Sequence, residues 1–454
     1  MTMMTRPGRT RSADLIVLGA EVAVLALAVA VGALLNHQGV RLHADAAPLY
    51  ATWQPHLGPG TPAALLLAAL FVWRGVRWGT DTPWPRLLAV GYLASLLWTL
   101  SLALVDGWSA GLTERLTVQA EYLHEVPRVT DVGIMLSGFA DRILDFQPDS
   151  WSTHAAAHPP GALLFFVWLE RIGLGGGTAA GLACVLLGAT VSVSVPVTLR
   201  ALGAEDAARA VWPFLVLLPG AVWVGASADG IFAAVVAAGL ALLAVGGRAG
   251  AALGGLLLGF ALYLSYGFVL VGLLALTVVL LRARDRLAVF LVAATAVAAV
   301  VAVFTVAGFW WLDGYHLVAR RYYQGWAAER PYGYWVWANL AALLLSAGPV
   351  VGPALRRAVA AVSIRAPQAP FATALRQRIA SAGPTVWLPL AATAAVLAAD
   401  LSGLSKAEVE RIWLPFTVWL LVATAHLPHC HRRWWLAAQA ATALAVNHLL
   451  WTVS

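Results

Sequence analysis

Between Arg286 and Trp310 the chain runs for 23 residues without a charge, and only Thr295, Thr305 and Gly308 among them are not apolar. A helix needs about 20 such residues to cross the hydrocarbon of a bilayer. Comparable blocks occupy 14–35, 86–105, 178–199 and 434–452. Shorter ones lie at 61–76, 158–172, 210–227, 229–246, 250–265, 267–281, 334–352, 384–399 and 412–427. The expected fold is all-α, a polytopic membrane protein of about 12–14 transmembrane or half-spanning helices. Only 11% of residues are charged, against about 25% in soluble domains, which excludes an ordinary soluble enzyme. A transmembrane β-barrel would show short alternating segments, not long Ala/Leu/Val/Gly blocks.

Charge predicts which ends share a side. Sixteen of the 29 Lys and Arg fall in 1–13, 74–86, 282–286, 354–383 and 428–433. An excess of basic residues marks cytoplasmic loops. The opposite loops, 36–60, 106–157, 310–333 and 400–411, hold 14 of the 22 acidic residues. The run from Leu15 after Arg6, Arg9 and Arg11 reads as a retained first span in the plasma membrane. The expected organisation is an N-terminal module over 1–353, a cytoplasmic linker at 354–383 and a C-terminal helical bundle at 384–454. The net charge of +7 is scattered over many loops, so nucleic acid is not an expected partner. Cys184 and Cys430 have no metal-ligand or redox spacing.

The outer loop 106–161 is rich in groups that do chemistry. It holds Asp106, Glu121 and Asp131, then Ile134, Met135, Phe139, Ile143 and Phe146 at roughly helical spacing. That pattern predicts an amphipathic interfacial helix over 132–146. His154 and His158-Pro159-Pro160-Gly161 follow, and proline suits the first turn of the next helix. One carboxylate among Asp131, Asp106 and Glu121 is a candidate general base; Asp131 has a second reading as a helix cap.

Two further loops supply cations and aromatics. Arg320-Arg321-Tyr322-Tyr323 and Arg330 lie in 310–333, where guanidinium forks suit phosphate and aromatic faces suit sugars or a membrane belt. Glu410-Arg411 stands at the mouth of a late span, as an ion pair or a substrate clamp. Within apolar blocks, Glu21 and Asp229 are costly to bury and are suspects in their own right.

This layout resembles the GT-C glycosyltransferases, especially the protein O-mannosyltransferase and aminoarabinose-transferase branch. The resemblance rests on the early outer carboxylate, the interfacial helix and the His158-Pro159-Pro160 opening of a span. Asp131 stands 27 residues before His158. Val132 replaces the second residue of the family's acidic pair, so Asp106 and Glu121 remain beside Asp131 as candidates. Pro219-Gly220, Ser227-Ala228-Asp229-Gly230 and Gly254-Gly255 look like the family's paired membrane helices. Tyr315-His316, Arg321-Tyr322-Tyr323-Gln324-Gly325 and Tyr334-Trp335-Val336-Trp337 resemble an actinobacterial subgroup of methylthioxylose transferases, which act on mannose caps of lipoarabinomannan. The resemblance implies a polyprenyl-phosphate-linked sugar donor, a cell-envelope glycan or glycolipid acceptor, membrane lipids as surroundings, and no cofactor or metal. His154, His158, Arg320, Arg321, Tyr322, Tyr323, Arg330, Glu410 and Arg411 would bind donor and substrate. The alternative is a transporter or lipid-linked-sugar flippase, which would need polar groups along a midplane path.

Overall fold

A computed structural model describes residues 7–225, 227–282, 284–364 and 382–452. The described chain is almost wholly helical, with one two-stranded antiparallel ribbon. Five helices are long and apolar enough to cross a membrane: Ser12–His37, Trp84–Ala103, Gly176–Ala201, Arg286–Val306 and Pro384–Leu401. Tyr332–Ala347 and Val351–Val362 make a sixth if taken together, but the pair bends by 95°. Gly348 makes that break at φ +90°, where a Cβ would collide with the Gln439 amide; only glycine takes this conformation without strain. Asp229–Val245, Gly247–Ala261, Tyr266–Leu281 and Leu414–His426 are apolar but shorter. These features are consistent with a multi-pass membrane protein.

Two expected elements are corrected. The segment 434–452 is not a continuous apolar span. Its helix, His429–Leu449, carries Arg432 and Arg433 near its start and buries Gln439 and Asn447. Gln439 Nε2 donates to Ala347 O at 3.1 Å and Asn447 Nδ2 to Leu102 O at 3.0 Å. Leu450–Thr452 then leaves the helix and pairs with Ala51–Trp53, Ala51 opposite Thr452. The helix expected over 132–146 is also broken. Val132–Ser137 is helical, and Ala140–Arg142 forms only a 3-10 turn. Trp151 takes the carbonyls a helix would need: its indole donates to Phe139 O at 3.0 Å and its amide to Arg142 O at 2.9 Å. The longer amphipathic helix lies in the other loop, at Trp311–Tyr322. Trp311, Leu317 and Val318 pack on the core, while Asp313, His316 and Arg320 are exposed.

The first helix sets the distance between the two ends of the molecule. Near its start, Asp14 pairs with both Arg356 and Arg357. Near its end, Asn36 Nδ2 donates to Ala44 O at 2.9 Å. The 22 intervening steps span roughly 33 Å at 1.5 Å per residue, about one hydrocarbon thickness. Residues 354–364 of the expected linker continue the helix Val351–Ile364, and 365–381 lie outside the described residues. The larger of two hydrophobic clusters among the described residues runs from Leu49 to Val446 and includes Trp98, Trp212, Trp223 and Trp419, and the smaller joins Ala28 and Leu42 to Trp335 and Ala407. The C-terminal helices share the larger cluster.

Candidate functional site

The end of the molecule away from Asp14 gathers four loops. Arg41 and His43 both meet Glu329, and Arg330 donates to Leu42 O at 3.1 Å and His43 O at 3.2 Å. That joins 36–60 to 310–333. Arg321 pairs with Asp145 at 3.1 Å, joining 310–333 to 106–157. Tyr322 accepts from the Lys406 amide at 2.7 Å, adding 400–411.

Arg411 stands where these loops converge. It lies in the short helix Val409–Ile412 and its side chain is buried. Nη1 donates to Asp229 Oδ2 at 3.1 Å, and Nη2 to Glu408 Oε2 at 2.6 Å. Nη2 also lies 3.1 Å from His154 Nε2. Because a guanidinium can only donate, Nε2 accepts, and the neutral ring's proton sits on Nδ1. That nitrogen faces Glu121 Oε1 at 2.5 Å. Glu121 therefore fixes the tautomer of His154 and leaves the Nε2 lone pair toward Arg411.

Local structure holds this arrangement. His154 belongs to the helix Thr153–Ala157, whose start docks on 120–125. The His154 amide donates to Ala120 O at 2.9 Å, and the Ser152 amide to Glu125 Oε1 at 2.7 Å. His158 ends this helix, its Nδ1 2.9 Å from His154 O and 2.8 Å from the Tyr122 hydroxyl. Burial is the main influence on its imidazole and pushes the pKa down to about 4, so it stays neutral near pH 7. Pro160 opens the following helix.

Charge at the site is tightly coupled. Burial raises the Glu121 carboxyl, but His154 and Arg411 outweigh it and hold the group below its ordinary range. Burial also opposes ionisation of Glu408, yet Arg411 and Arg330 bring it down to about 2. Glu410 goes the other way. Burial, reinforced by Glu408, lifts it to about 7. It accepts from the Tyr50 amide at 3.3 Å through Oε1, while Oε2 has no hydrogen-bond partner among the described residues. Arg411 Nε and Trp413 Nε1 are also buried without partners.

The remaining sequence-derived residues divide. Arg330 is buried and faces Glu408 at 3.5 Å. Tyr323 is exposed, with the Lys406 ammonium 5.1 Å from its ring centre. Arg320 is exposed. Arg321 is engaged by Asp145 and by the carbonyls of Ile143 and Trp151. Asp106 belongs to a separate cluster with His56 and Arg115, each at 2.7 Å. Asp131 is exposed and caps the helix Val132–Ser137, accepting from Ile134 N at 2.8 Å. Of the three carboxylates, Glu121 is the one joined to Arg411. The sequence marks Asp229 as costly to bury but does not join it to the loops, and it does not single out Glu408. The three-residue spacing of Glu408, just before the helix Val409–Ile412, from Arg411 within it is the available signal.

Comparison of the chain with protein-family models, curated proteins and solved structures finds no match in any of the three.

Proposed function

We propose that the protein is a membrane glycosyltransferase of the GT-C kind. It transfers a sugar from a polyprenyl-phosphate donor to a cell-envelope glycan or glycolipid on the extracytoplasmic face. The observation that carries this reading is Arg411: one buried guanidinium in contact with Asp229, Glu408 and the Glu121–His154 pair. Such a site pairs a phosphate-binding cation with a proton acceptor.

In the reaction, an acceptor hydroxyl attacks the anomeric carbon. The bond from that carbon to the phosphate oxygen breaks, and its electron pair leaves with the polyprenyl phosphate. As Arg411 Nη2 turns from His154 Nε2 to the departing phosphate, the hydroxyl proton passes to the freed Nε2, with the ring oriented through Nδ1 by Glu121. Arg411 and Arg330 stabilise the negative charge that develops on the departing phosphate. The basic end, with Arg356 and Arg357, faces the cytoplasm by the excess of arginine, and the shorter apolar helices cross part-way to complete the bundle. The subgroup resemblance narrows the donor to methylthioxylose and the acceptor to mannose caps of lipoarabinomannan.

A transporter would use its intramembrane acids along a path. Asp229 is instead bound to the loop cluster through Arg411, which favours the enzyme. The test is transfer by the full-length protein in nanodiscs. It is given labelled polyprenyl-phosphate pentoses or hexoses and a mannoside acceptor. Product that disappears with Arg411→Ala and His154→Ala supports the reading. A folded protein that consumes none of these donors overturns it.

A further inference from the structure

Arg411 is surrounded by more negative charge than it needs. Asp229 contacts Nη1, and the Glu121–His154 pair and Glu408 both face Nη2. Glu408 also reaches a second cation. Its Oε2 lies 2.6 Å from Arg411, and its Oε1 lies 3.5 Å from Arg330 Nη1. One carboxylate thus bridges two guanidinium groups through separate oxygens, which is how a phosphate is held between two arginines. The arginine side chains are 5–6% exposed, but the Glu408 side chain is 23% exposed. The bridging anion is the part of the pocket nearest to solvent.

The backbone beneath it is held in an unfavourable conformation. Ala407 and Glu408 have φ of +70° and +63°, a region that residues with a side chain rarely enter. Surrounding groups impose it. The Lys406 amide is held by Tyr322, the Lys406 carbonyl by Arg330 at 2.8 Å, and the Ala407 amide by Asn339 Oδ1 at 3.2 Å. Strain of this kind concentrates where a segment switches between states.

We propose that Glu408 is a built-in stand-in for the donor's phosphate. Its carboxylate fills the anion pocket between Arg411 and Arg330 in the empty protein and swings out when a lipid phosphate enters. This rests on the reading of the site as a phosphate pocket. Exchange keeps the charge near Arg411 and Arg330 balanced, and it offers the unpartnered Nε of Arg411 to the incoming group. After transfer, the return of Glu408 displaces the polyprenyl phosphate.

The experiment measures binding of a short-chain polyprenyl monophosphate, and separately of inorganic phosphate, to the full-length protein in nanodiscs. A stand-in that occupies the pocket in nine of ten empty molecules raises the apparent Kd about tenfold. Glu408→Gln should therefore bind polyprenyl phosphate about tenfold more tightly than wild type. Glu408→Asp, which keeps the charge but shortens the reach, should fall between them and covers the case in which the glutamine variant does not fold. Unchanged or weaker binding in the folded variants overturns the proposal. Inorganic phosphate bound by the Glu408→Gln protein as tightly as the polyprenyl monophosphate overturns the lipid assignment. Tightening without sugar transfer from any donor retains the stand-in and removes the transferase reading. Transfer with no change in affinity does the reverse.

Discussion

Arg411 Nη1 donates to Asp229 Oδ2 over 3.1 Å although 182 residues separate the two. The bond fastens the turn after 400–408 to the start of the helix Asp229–Val245. Neither residue can be buried as an isolated charge without a large desolvation cost. Each is therefore a condition for the position of the other.

Arg411→Ala leaves Asp229 and Glu408 without their shared cation. Breaking a buried pair costs about 3–5 kcal/mol. A thermal or denaturant unfolding series should register that loss, and Arg411→Lys should recover only part of it, because a single ammonium cannot fork to both carboxylates. A wild-type midpoint for Arg411→Ala would mean that the cluster is solvated.

Glu121→Gln and His154→Gln should retain donor binding and lose turnover, since both act on the proton. Single-turnover transfer with measured donor affinity separates the two effects. Equal losses in binding and turnover would place the pair in substrate binding instead.

Asp131→Asn should leave both fold and transfer close to wild type, because asparagine caps a helix about as well as aspartate. Asp131→Ala should cost about 1 kcal/mol of stability. If Asp131→Asn is folded, binds donor and does not transfer, the base is Asp131 and not the Glu121–His154 pair.

Glu408 and Glu410 drive stability in opposite pH directions. Glu408 is depressed from 4.5 to about 2, so its contribution is full above about pH 4.5 and disappears as pH falls toward 2. Glu410 is raised from 4.5 to about 7. Its contribution is full below pH 4.5 and is lost as pH rises through 7. Glu410→Gln should therefore gain stability relative to wild type above pH 7 and gain nothing below pH 4.5. Unfolding midpoints measured across that range check the sign.

Single cysteines at Trp53 and Glu329 should label from one side of the membrane, and cysteines at Arg356 and Arg357 from the other, in a background lacking the exposed Cys430. Labelling of all four from one side would contradict the opposite placement of the two ends.

The sequence carries much of this fold because apolar runs and charge gaps are local signals. Residues 287–309 appear as the helix Arg286–Val306 almost unchanged. The end grouping of 36–60, 106–157, 310–333 and 400–411 follows from charge alone, and the loops do meet. What stayed hidden depends on distant partners. Trp151 breaks the 132–146 helix from outside it. Gln439 and Asn447 find carbonyls on other helices, and pairing with Ala51–Trp53 ends the last helix at Leu449. At the site, Arg330 and Arg411 were legible as cations, but the tautomer of His154 and the bridge made by Glu408 depend on three-dimensional contacts. Asp131 stood out because a carboxylate before an apolar helical pattern is conspicuous, and capping produces that same pattern.

The pairing of Ala51–Trp53 with Leu450–Thr452 imposes an order on biosynthesis. The first of these segments leaves the ribosome nearly 400 residues before its partner. Ala51 bonds locally to Ala46 and Leu49, but the backbone groups that face Leu450–Thr452 must wait, unpaired in water, while every intervening helix is inserted. A ribosome that stalls late therefore releases a chain whose loop end is still open, and an exposed strand edge of that kind is what proteases and chaperones recognise.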